Sequence, residues 1–497
     1  MRFFFRLEVS PEIGTGHFFR CFALAQQLID SGWEEQSQIY FVARSLSKDF
    51  DQILISEGIK CINLSQIQDY FCRADEKTWL GADPAQDAVE FSNTLILRET
   101  DVVFVDSYAA SAEWCDHINS QVATTVSFED FGLQGINTDY VVRGNFLGNE
   151  APPNLDLHTS EYLDGTKYLV MRKELQGLQS TVRKDLNGVL IYFGGADADN
   201  FTTRAVDAVL SSKYSGQINV VVGNSFQYFD ELNRCCAREK QIIIDVQPEN
   251  FIELMQTSSL CIGAGGLNLW ERVLLGLPSI TVAIVPNQEP QVMSAKEHGL
   301  IFDVDRDDIS SRLRELLNTL FYQPEILRAQ SYKCLNFMDF LGSHRVITRV
   351  LSQHLKVREA GIKDETLIHT LRNHPVVRAA SINKEEISIE AHKNWFKNAL
   401  KRDDFSLRIA EVAGQPLGVV SFTEETTGTF RVSIYLNQFT KKSRGMGQYV
   451  LGAAEKTLPA QSRFVATVLG ENTSSKRLFD RLNYRLERCE FSKGSNS

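Results

Sequence analysis

The stretch that most constrains this chain is Phe3-Phe4-Phe5-Arg6-Leu7-Glu8-Val9 with the turn after it, Ile13-Gly14-Thr15-Gly16-His17-Phe18-Phe19-Arg20-Cys21. This apolar run predicts a buried first strand. A helix expected from about His17 carries Cys21, Leu24, Ala25 and Leu28 on one face. The glycines let the backbone turn sharply and leave room for a ligand, and amides at the start of a helix attract anions. Gly14-Thr15-Gly16 lacks the third glycine of a dinucleotide fingerprint, since Phe19 stands in its place, and no Walker lysine follows. By itself the turn reads either as a tight turn or as a phosphate cradle. His17 reads either as a structural histidine or as one placed to move a proton.

Strands follow at residues 39–42, 102–105 and 124–128, with helical segments between them, the pattern of a parallel, doubly wound sheet. Functional side chains in such sheets gather at the carboxyl ends of strands. The candidates there are Gly14 to His17, Asp106-Ser107-Tyr108 and Glu129-Asp130. The pattern restarts at about Gly188, with strands at 189–193, 218–222, 242–246, 260–262 and 279–285 and a helix from about Asp199. This is a second Rossmann-like half, and two in tandem imply a ligand cleft between them. A helical stretch over 324–355 closes this part and is expected to cross back to the first half. After about Val357 the order changes to helices and antiparallel strands (406–412, 416–423, 429–435), a glycine turn, a helix, a strand at 463–469 and a final helix, which is α+β. The expected domains are 1–180, 181–355 and 356–497, consistent with 497 residues being too many for one core.

A net charge of −11 with no dense Lys/Arg stripe argues against a nucleic-acid partner. No run is long and apolar enough to span a bilayer. The first residues lack the pattern of a signal peptide, because Arg6 and Glu8 interrupt a short apolar stretch and no small-residue cleavage site follows. The nine cysteines form no C-x-x-C pair and the nine histidines no H-E-x-x-H, so a metal is not expected. Reduced thiols in a cytoplasmic enzyme fit best.

In the second half, Cys261-Ile262-Gly263-Ala264-Gly265-Gly266-Leu267-Asn268-Leu269-Trp270-Glu271 reads as strand, glycine cluster and helix. Amides at Gly265 and Gly266 are placed for a diphosphate, and Glu271 for ribose hydroxyls. Glu271 reads equally as a favourable charge in a helix's first turn, and Asn287 as an ordinary loop amide.

Taken together, Gly14-Thr15-Gly16-His17 with Arg20-Cys21, Asp106-Ser107-Tyr108, Gly194-Gly195-Ala196-Asp197, Gly265-Gly266 through Glu271, and Asn287-Gln288 resemble the PseG family. These are UDP-2,4-diacetamido-2,4,6-trideoxy-β-L-altropyranose hydrolases of pseudaminic acid synthesis, with a MurG-like GT-B fold. The resemblance spans roughly residues 1–350. It implies metal-independent hydrolysis in which water attacks the anomeric carbon and UDP leaves with inversion. His17 is then the base, and Tyr108 and Asn287 position sugar and water. Gly14, Thr15, Gly16, Arg20, Asp106, Gly194, Gly195, Asp197, Gly265, Gly266, Glu271 and Gln288 bind the UDP-sugar. Glu129-Asp130 stands where the family has a double aspartate.

In the tail, Lys442-Ser443-Arg444-Gly445-Met446-Gly447-Gln448 opens a helix, and Asn472-Thr473-Ser474-Ser475-Lys476-Arg477-Leu478-Phe479 precedes Leu482-Asn483-Tyr484. Successive amides in such a turn can wrap a pyrophosphate; the same glycines also suit a mere turn. These segments resemble the GNAT acetyltransferases, and 372–378 with 392–396 resemble the PseH-type subgroup acting on amino sugars. For His392 and Trp395, helix packing and substrate contact both remain open. The resemblance implies acetyl-CoA as co-substrate, held by Leu436, Lys442, Arg444, Gly445, Met446, Gly447, Gln448, Asn472, Ser475 and Phe479. Lys442 replaces the family's usual Arg or Gln. Phe479 stands where many relatives have a tyrosine that protonates the leaving thiolate, which leaves Tyr484 as the substitute acid, or the domain inactive.

Acetylation of a UDP-4-amino sugar immediately precedes UDP removal in that pathway, so the expectation is a bifunctional enzyme for consecutive steps. The alternatives are a GT-B UDP-sugar glycosyltransferase, or a UDP-sugar-binding protein with an inactive acetyltransferase tail. The pattern leaves sugar stereochemistry and oligomeric state open.

Overall fold

Three sheets carry the chain in the computed structural model, which describes residues 1–10, 13, 15–33, 38–44, 46–67, 76–130, 137–145, 160–195 and 197–488. The first comprises β1 (Phe3–Leu7), β2 (Ile39–Ala43), β3 (Lys60–Asn63), β4 (Val102–Asp106), β5 (Thr124–Phe128), β6 (Tyr140–Arg143) and β7 (Glu161–Asp164). Their order is β3-β2-β1-β4-β5-β6-β7, parallel throughout. The second comprises β8 (Gly188–Tyr192), β9 (Gln217–Val222), β10 (Ile242–Val246), β11 (Leu260–Ala264), β12 (Ser279–Val282) and β13 (Phe302–Asp303). Its order is β10-β9-β8-β11-β12-β13, again all parallel. The third comprises β14 (Leu355–Glu359), β15 (Phe405–Val412), β16 (Gln415–Thr426), β17 (Thr429–Leu436) and β18 (Arg463–Ala466); it is antiparallel except for the parallel β17–β18 pair. The predicted class holds: two Rossmann-like halves, then an α+β sheet. Contacts divide the chain into two compact units, the first holding both parallel sheets and the second the mixed sheet, with the later break between Val346 and Ile347.

β1 is buried on both faces. Phe5 stacks between Phe41 and Phe104, its partners on either side, at 5.2 and 4.7 Å, while Phe4 faces the opposite layer against Tyr40 and Phe91. All five β1 residues are buried, Arg6 included. A charge there persists because Asp87, itself fully buried on the helix Pro84–Leu95, meets it with both oxygens. Arg6 Nε and Nη2 donate to Asp87 at 3.0 and 2.7 Å, Arg44 Nη2 at 2.6 Å and Trp114 Nε1 at 2.9 Å. Burial alone would raise the Asp87 carboxyl, but Arg6 and Arg44 override it and hold it below the usual range.

Several boundaries differ from the pattern reading. β3, β6 and β7 had not been singled out. Each spans only four residues, and β3 and β7 are only partly buried, so they lack the apolar run that marks the inner strands. The strand expected over 279–285 ends at Val282, because the Ile284 amide turns to donate to the Gln288 side chain. The stretch over 324–355 is two helices, Pro324–Leu335 and Gly342–Ser352, followed by the start of β14. At Gly342 a Cβ would lie 1.8 Å from the Leu169 carbonyl oxygen, so only glycine lets that helix start where it does. Arg345 also donates to the Lys167 carbonyl at 2.9 Å, so the chain does cross back.

Asp87→Ala strands two buried guanidiniums and should cost about 3–5 kcal/mol, read as a lower urea midpoint. A depressed carboxyl stabilises the fold above its unfolded pKa, and that contribution is lost as pH falls through its folded value. The gap between variant and wild type should therefore narrow in acid.

Candidate active site

A cleft of about 420 Å³ in the first unit is lined by Thr15, Gly16, His17, Arg20 and Tyr108 from the first half. Gly194, Gly266, Asn268 and Glu271 line it from the second half. The helix Gly16–Asp30 presents His17 one residue into its first turn. His17 Nδ1 lies 2.6 Å from Asp106 Oδ1, at the carboxyl end of β4. Arg20, one turn on, donates to Asp106 through Nε (2.8 Å) and Nη2 (2.6 Å), and to both oxygens of Asp130 at 2.8 and 2.9 Å. Burial acts to raise the Asp106 carboxyl, yet Arg20 and His17 together hold it well below the usual carboxylate range. An ionised Asp106 can only accept, so His17 carries a proton on Nδ1, and in the neutral imidazole the lone pair lies on Nε2. The His17 ring meets Tyr108 edge-on at 4.8 Å, and the Tyr108 hydroxyl donates to Asp130 at 2.9 Å. Burial and the Asp130 carboxylate push the Tyr108 phenol up. Gly14 and Ala196 lie outside the described residues, as does the Asn287 side chain.

On the facing side the candidates separate. Gly266 lines the cleft, and its amide has no acceptor among the described residues. The Gly265 amide, by contrast, donates to the Val282 carbonyl at 3.0 Å and to Gln288 Oε1 at 3.2 Å, so it is not available to a phosphate. Its glycine is required by packing, because a Cβ would meet Val292 at 2.2 Å. Gln288 lines the cleft, and its side-chain carbonyl pins the Gly265 and Ile284 amides and shapes the turn. Both Asp197 oxygens cap the helix Phe201–Leu210, accepting from Phe201 and Thr202 at 2.9 and 2.7 Å, which makes it architectural. Gly194, at φ +95°, reaches the cleft, whereas Gly195 packs against Gly223. At Gly16 a Cβ would meet Leu267 of the second half at 2.8 Å, so the opening glycine marks a close approach of the two halves.

Glu271 is 6 % exposed and accepts from Arg172 Nε and Asn268 Nδ2, each at 2.6 Å. Burial raises its carboxyl, with Arg172 pulling it back. Arg172 also lies 5.6 Å from the Phe19 ring, so one connector residue touches both cleft walls. The sequence pattern missed Arg172, Trp79 and Asn145, which lie in stretches with no motif.

In the second unit, Gly445 takes φ +74° and leads into the helix Gly447–Glu455. The amides of Gly445, Gly447 and Gln448 have no acceptor among the described residues, whereas those of Lys442 and Arg444 close the local turn. Met446 is fully buried, so only its backbone faces the turn. Along β17 the pairing with β16 runs to Leu436, but β18 pairs only with Thr429–Val432. Residues 433–436 therefore present an edge that no described strand covers. Asn472 caps the helix Thr473–Arg481, its side chain accepting from the Ser475 amide at 3.0 Å. Phe479 is buried against Tyr484, at 4.8 Å. Tyr484 has a partner of its own. Its hydroxyl donates to Glu455 at 2.5 Å, and burial with that carboxylate pushes the phenol up. Glu455 ends the helix whose other end faces the glycine turn, about 12 Å away at 1.5 Å per residue. His392 is 2 % exposed and bonded to the Glu365 carbonyl, which is a packing role.

Arg20→Met should destabilise the first unit by about 3–5 kcal/mol, because two carboxylates lose their shared cation. Denaturation at two pH values checks this: the loss should be larger at neutral pH than in acid, where protonation neutralises the abandoned carboxylates.

No known protein-family profile matches the chain. An uncharacterized protein of Methanocaldococcus jannaschii is 23% identical over 506 aligned positions, 96% of this chain and 95% of its own. The spore coat polysaccharide biosynthesis protein SpsG of Bacillus subtilis is 24% identical over 235 positions, 46% of this chain and 67% of its own. Among solved structures, MurG of Acinetobacter baumannii superposes on 70% of this chain and 99% of its own, at 16% identity and TM-score 0.49. The spermidine N-acetyltransferase of Vibrio cholerae superposes on 26% of this chain and 79% of its own, at 15% identity and TM-score 0.23. The chain is similar to the archaeal protein along nearly its whole length, through both compact units.

Proposed function

We propose that the chain is a bifunctional sugar-nucleotide enzyme whose first unit hydrolyses UDP-2,4-diacetamido-2,4,6-trideoxy-β-L-altropyranose. Its second unit acetylates the 4-amino group of the preceding UDP-sugar. The observation that carries the first half is the His17–Asp106 pair in a cleft facing Gly266 and Glu271. Water is deprotonated by His17 Nε2 as its oxygen bonds to the anomeric carbon. The bond from that carbon to the phosphate oxygen breaks, and UDP leaves with the electron pair. Asp106 orients the imidazole and stabilises the imidazolium that forms, as a buried carboxylate does beside a general base. The Gly266 amide donates to the departing diphosphate, and Glu271 accepts from ribose hydroxyls. Tyr108 holds the sugar against His17, and Asn287 is the candidate for placing the water. The name of the Bacillus relative supports a carbohydrate substrate.

In the second unit the three free amides at Gly445, Gly447 and Gln448 fit a pyrophosphate at a helix start, and the uncovered edge of β17 fits an amide-bearing chain. Acetyl-CoA would supply the activated acetyl group. Phe479 cannot donate a proton, and the hydroxyl of Tyr484, the substitute acid, donates to Glu455.

Incubation with acetyl-CoA and the UDP-4-amino sugar should yield the acetylated nucleotide sugar, then UDP and free reducing sugar, by mass spectrometry. Sugar appearing only on an added acceptor would make this a glycosyltransferase, and binding without turnover would leave a binding protein. His17→Ala should lower sugar release by about 10³-fold or more while UDP still binds. Gly445→Val, which forces a branched side chain into a left-handed conformation, should abolish acetyl-CoA binding by calorimetry and leave hydrolysis intact.

A further inference from the structure

Two residues that line the cleft each hold a buried polar atom with no partner among the described residues: the Asn145 side-chain carbonyl and the Trp79 indole N–H. Asn145 is 7 % exposed, and its Nδ2 donates to Asp130 Oδ1 at 2.9 Å. That orientation is forced, because Asp130 is a carboxylate and offers only lone pairs. The carbonyl of Asn145 is therefore the group left over, an acceptor without a donor. Trp79 lies 5.8 Å from the Tyr108 ring, and Tyr108 shares Asp130 with Asn145, one on each oxygen. One unmet donor and one unmet acceptor thus stand on neighbouring parts of the same wall, beside His17. Orphaned buried polar groups are rare and call for an explanation.

Resting on the hydrolase reading, we propose that Trp79 and Asn145 read one acetamido group of the sugar. The indole N–H donates to the amide carbonyl and the Asn145 carbonyl accepts the amide N–H. A secondary amide places its donor and its acceptor on two separate atoms, as the wall does, and Val170 and Met171 of the same cleft offer apolar surface for its methyl. An ammonium offers donors only and leaves Trp79 unmet. Nor does it find a free carboxylate in compensation: Asp130 already accepts two bonds from Arg20 and one each from Tyr108 and Asn145.

The test compares UDP-2,4-diacetamido sugar with analogues bearing an amine or a hydroxyl in place of either acetamido group. Affinity is measured in a His17→Ala background and kcat/KM in the active enzyme. Preference for the diacetamido sugar over one amine analogue and its hydroxyl counterpart should be about tenfold or more. Trp79→Phe, which removes only the indole N–H, and Asn145→Leu should each collapse that preference while UDP affinity is unchanged. An undiminished preference in both variants, or equal binding of the hydroxyl analogue by wild type, overturns the proposal. So does an equal loss for every sugar. Because affinity is read without turnover, discrimination that persists in an enzyme releasing no sugar supports the proposal while the hydrolase reading falls. Failure to bind any nucleotide sugar overturns both.

Discussion

The candidate site depends on one guanidinium. Arg20 grips Asp106 at the end of β4 and Asp130 just past β5, with four donor contacts to two carboxylates. Its plane lies 4.6 Å from the Phe128 ring, which closes the remaining face. Without it, two carboxyl groups would lose the cation they share. With it, Asp106 stays ionised and holds His17 in one tautomer, and Asp130 is free to fix Tyr108 and Asn145. The geometry of the whole sugar-facing wall follows from this pairing. A lysine, with one point charge, does not reproduce a fork that serves two carboxylates at once.

Close backbone approach shapes the cleft from the other direction. Gly16 lets the first half come against Leu267, Gly144 and Gly342 both admit the Leu169 segment, and Gly263 lies against the Tyr192 carbonyl. At each position a Cβ would stand within 2.8 Å of an existing atom. Gly16 therefore sets how closely the two walls meet, and the other three set the packing behind them. Arg172, paired with Glu271 and lying beside Phe19, adds a polar tie between the two sides. Dihedral freedom is the lesser part of what these glycines supply; the greater part is the room they leave.

Several residues that look like ligand contacts act one step behind. Asp197 and Asn472 cap helices, Gln288 pins a glycine turn, and Tyr484 locks onto Glu455. Each spends polar atoms on holding the local structure together. A motif holds residues that contact a ligand and residues that build the contact surface, and spacing alone does not tell them apart. The Phe479 position illustrates the reverse case, since a hydroxyl missing from the side chain is legible in the sequence whatever the packing.

The sequence by itself determined the two parallel halves and the α+β tail, because runs such as Phe3 to Val9 and Val189 to Phe193 admit no exposed face. It also placed His17, Asp106 and Gly266 at strand ends and turns, where a doubly wound sheet gathers its chemistry. Short strands such as β3 and β7 escaped it, since few apolar residues mark them. What only the tertiary structure decided is which side chains meet. Arg20 and Asp130 are separated by 110 positions, Arg172 and Glu271 by 99. No periodicity links residues so distant; their pairing exists only when burial makes an unmatched charge costly, and burial is a property of the folded chain. His17 was legible as a candidate from its turn. What orients its ring is a carboxylate that only the fold brings within 2.6 Å.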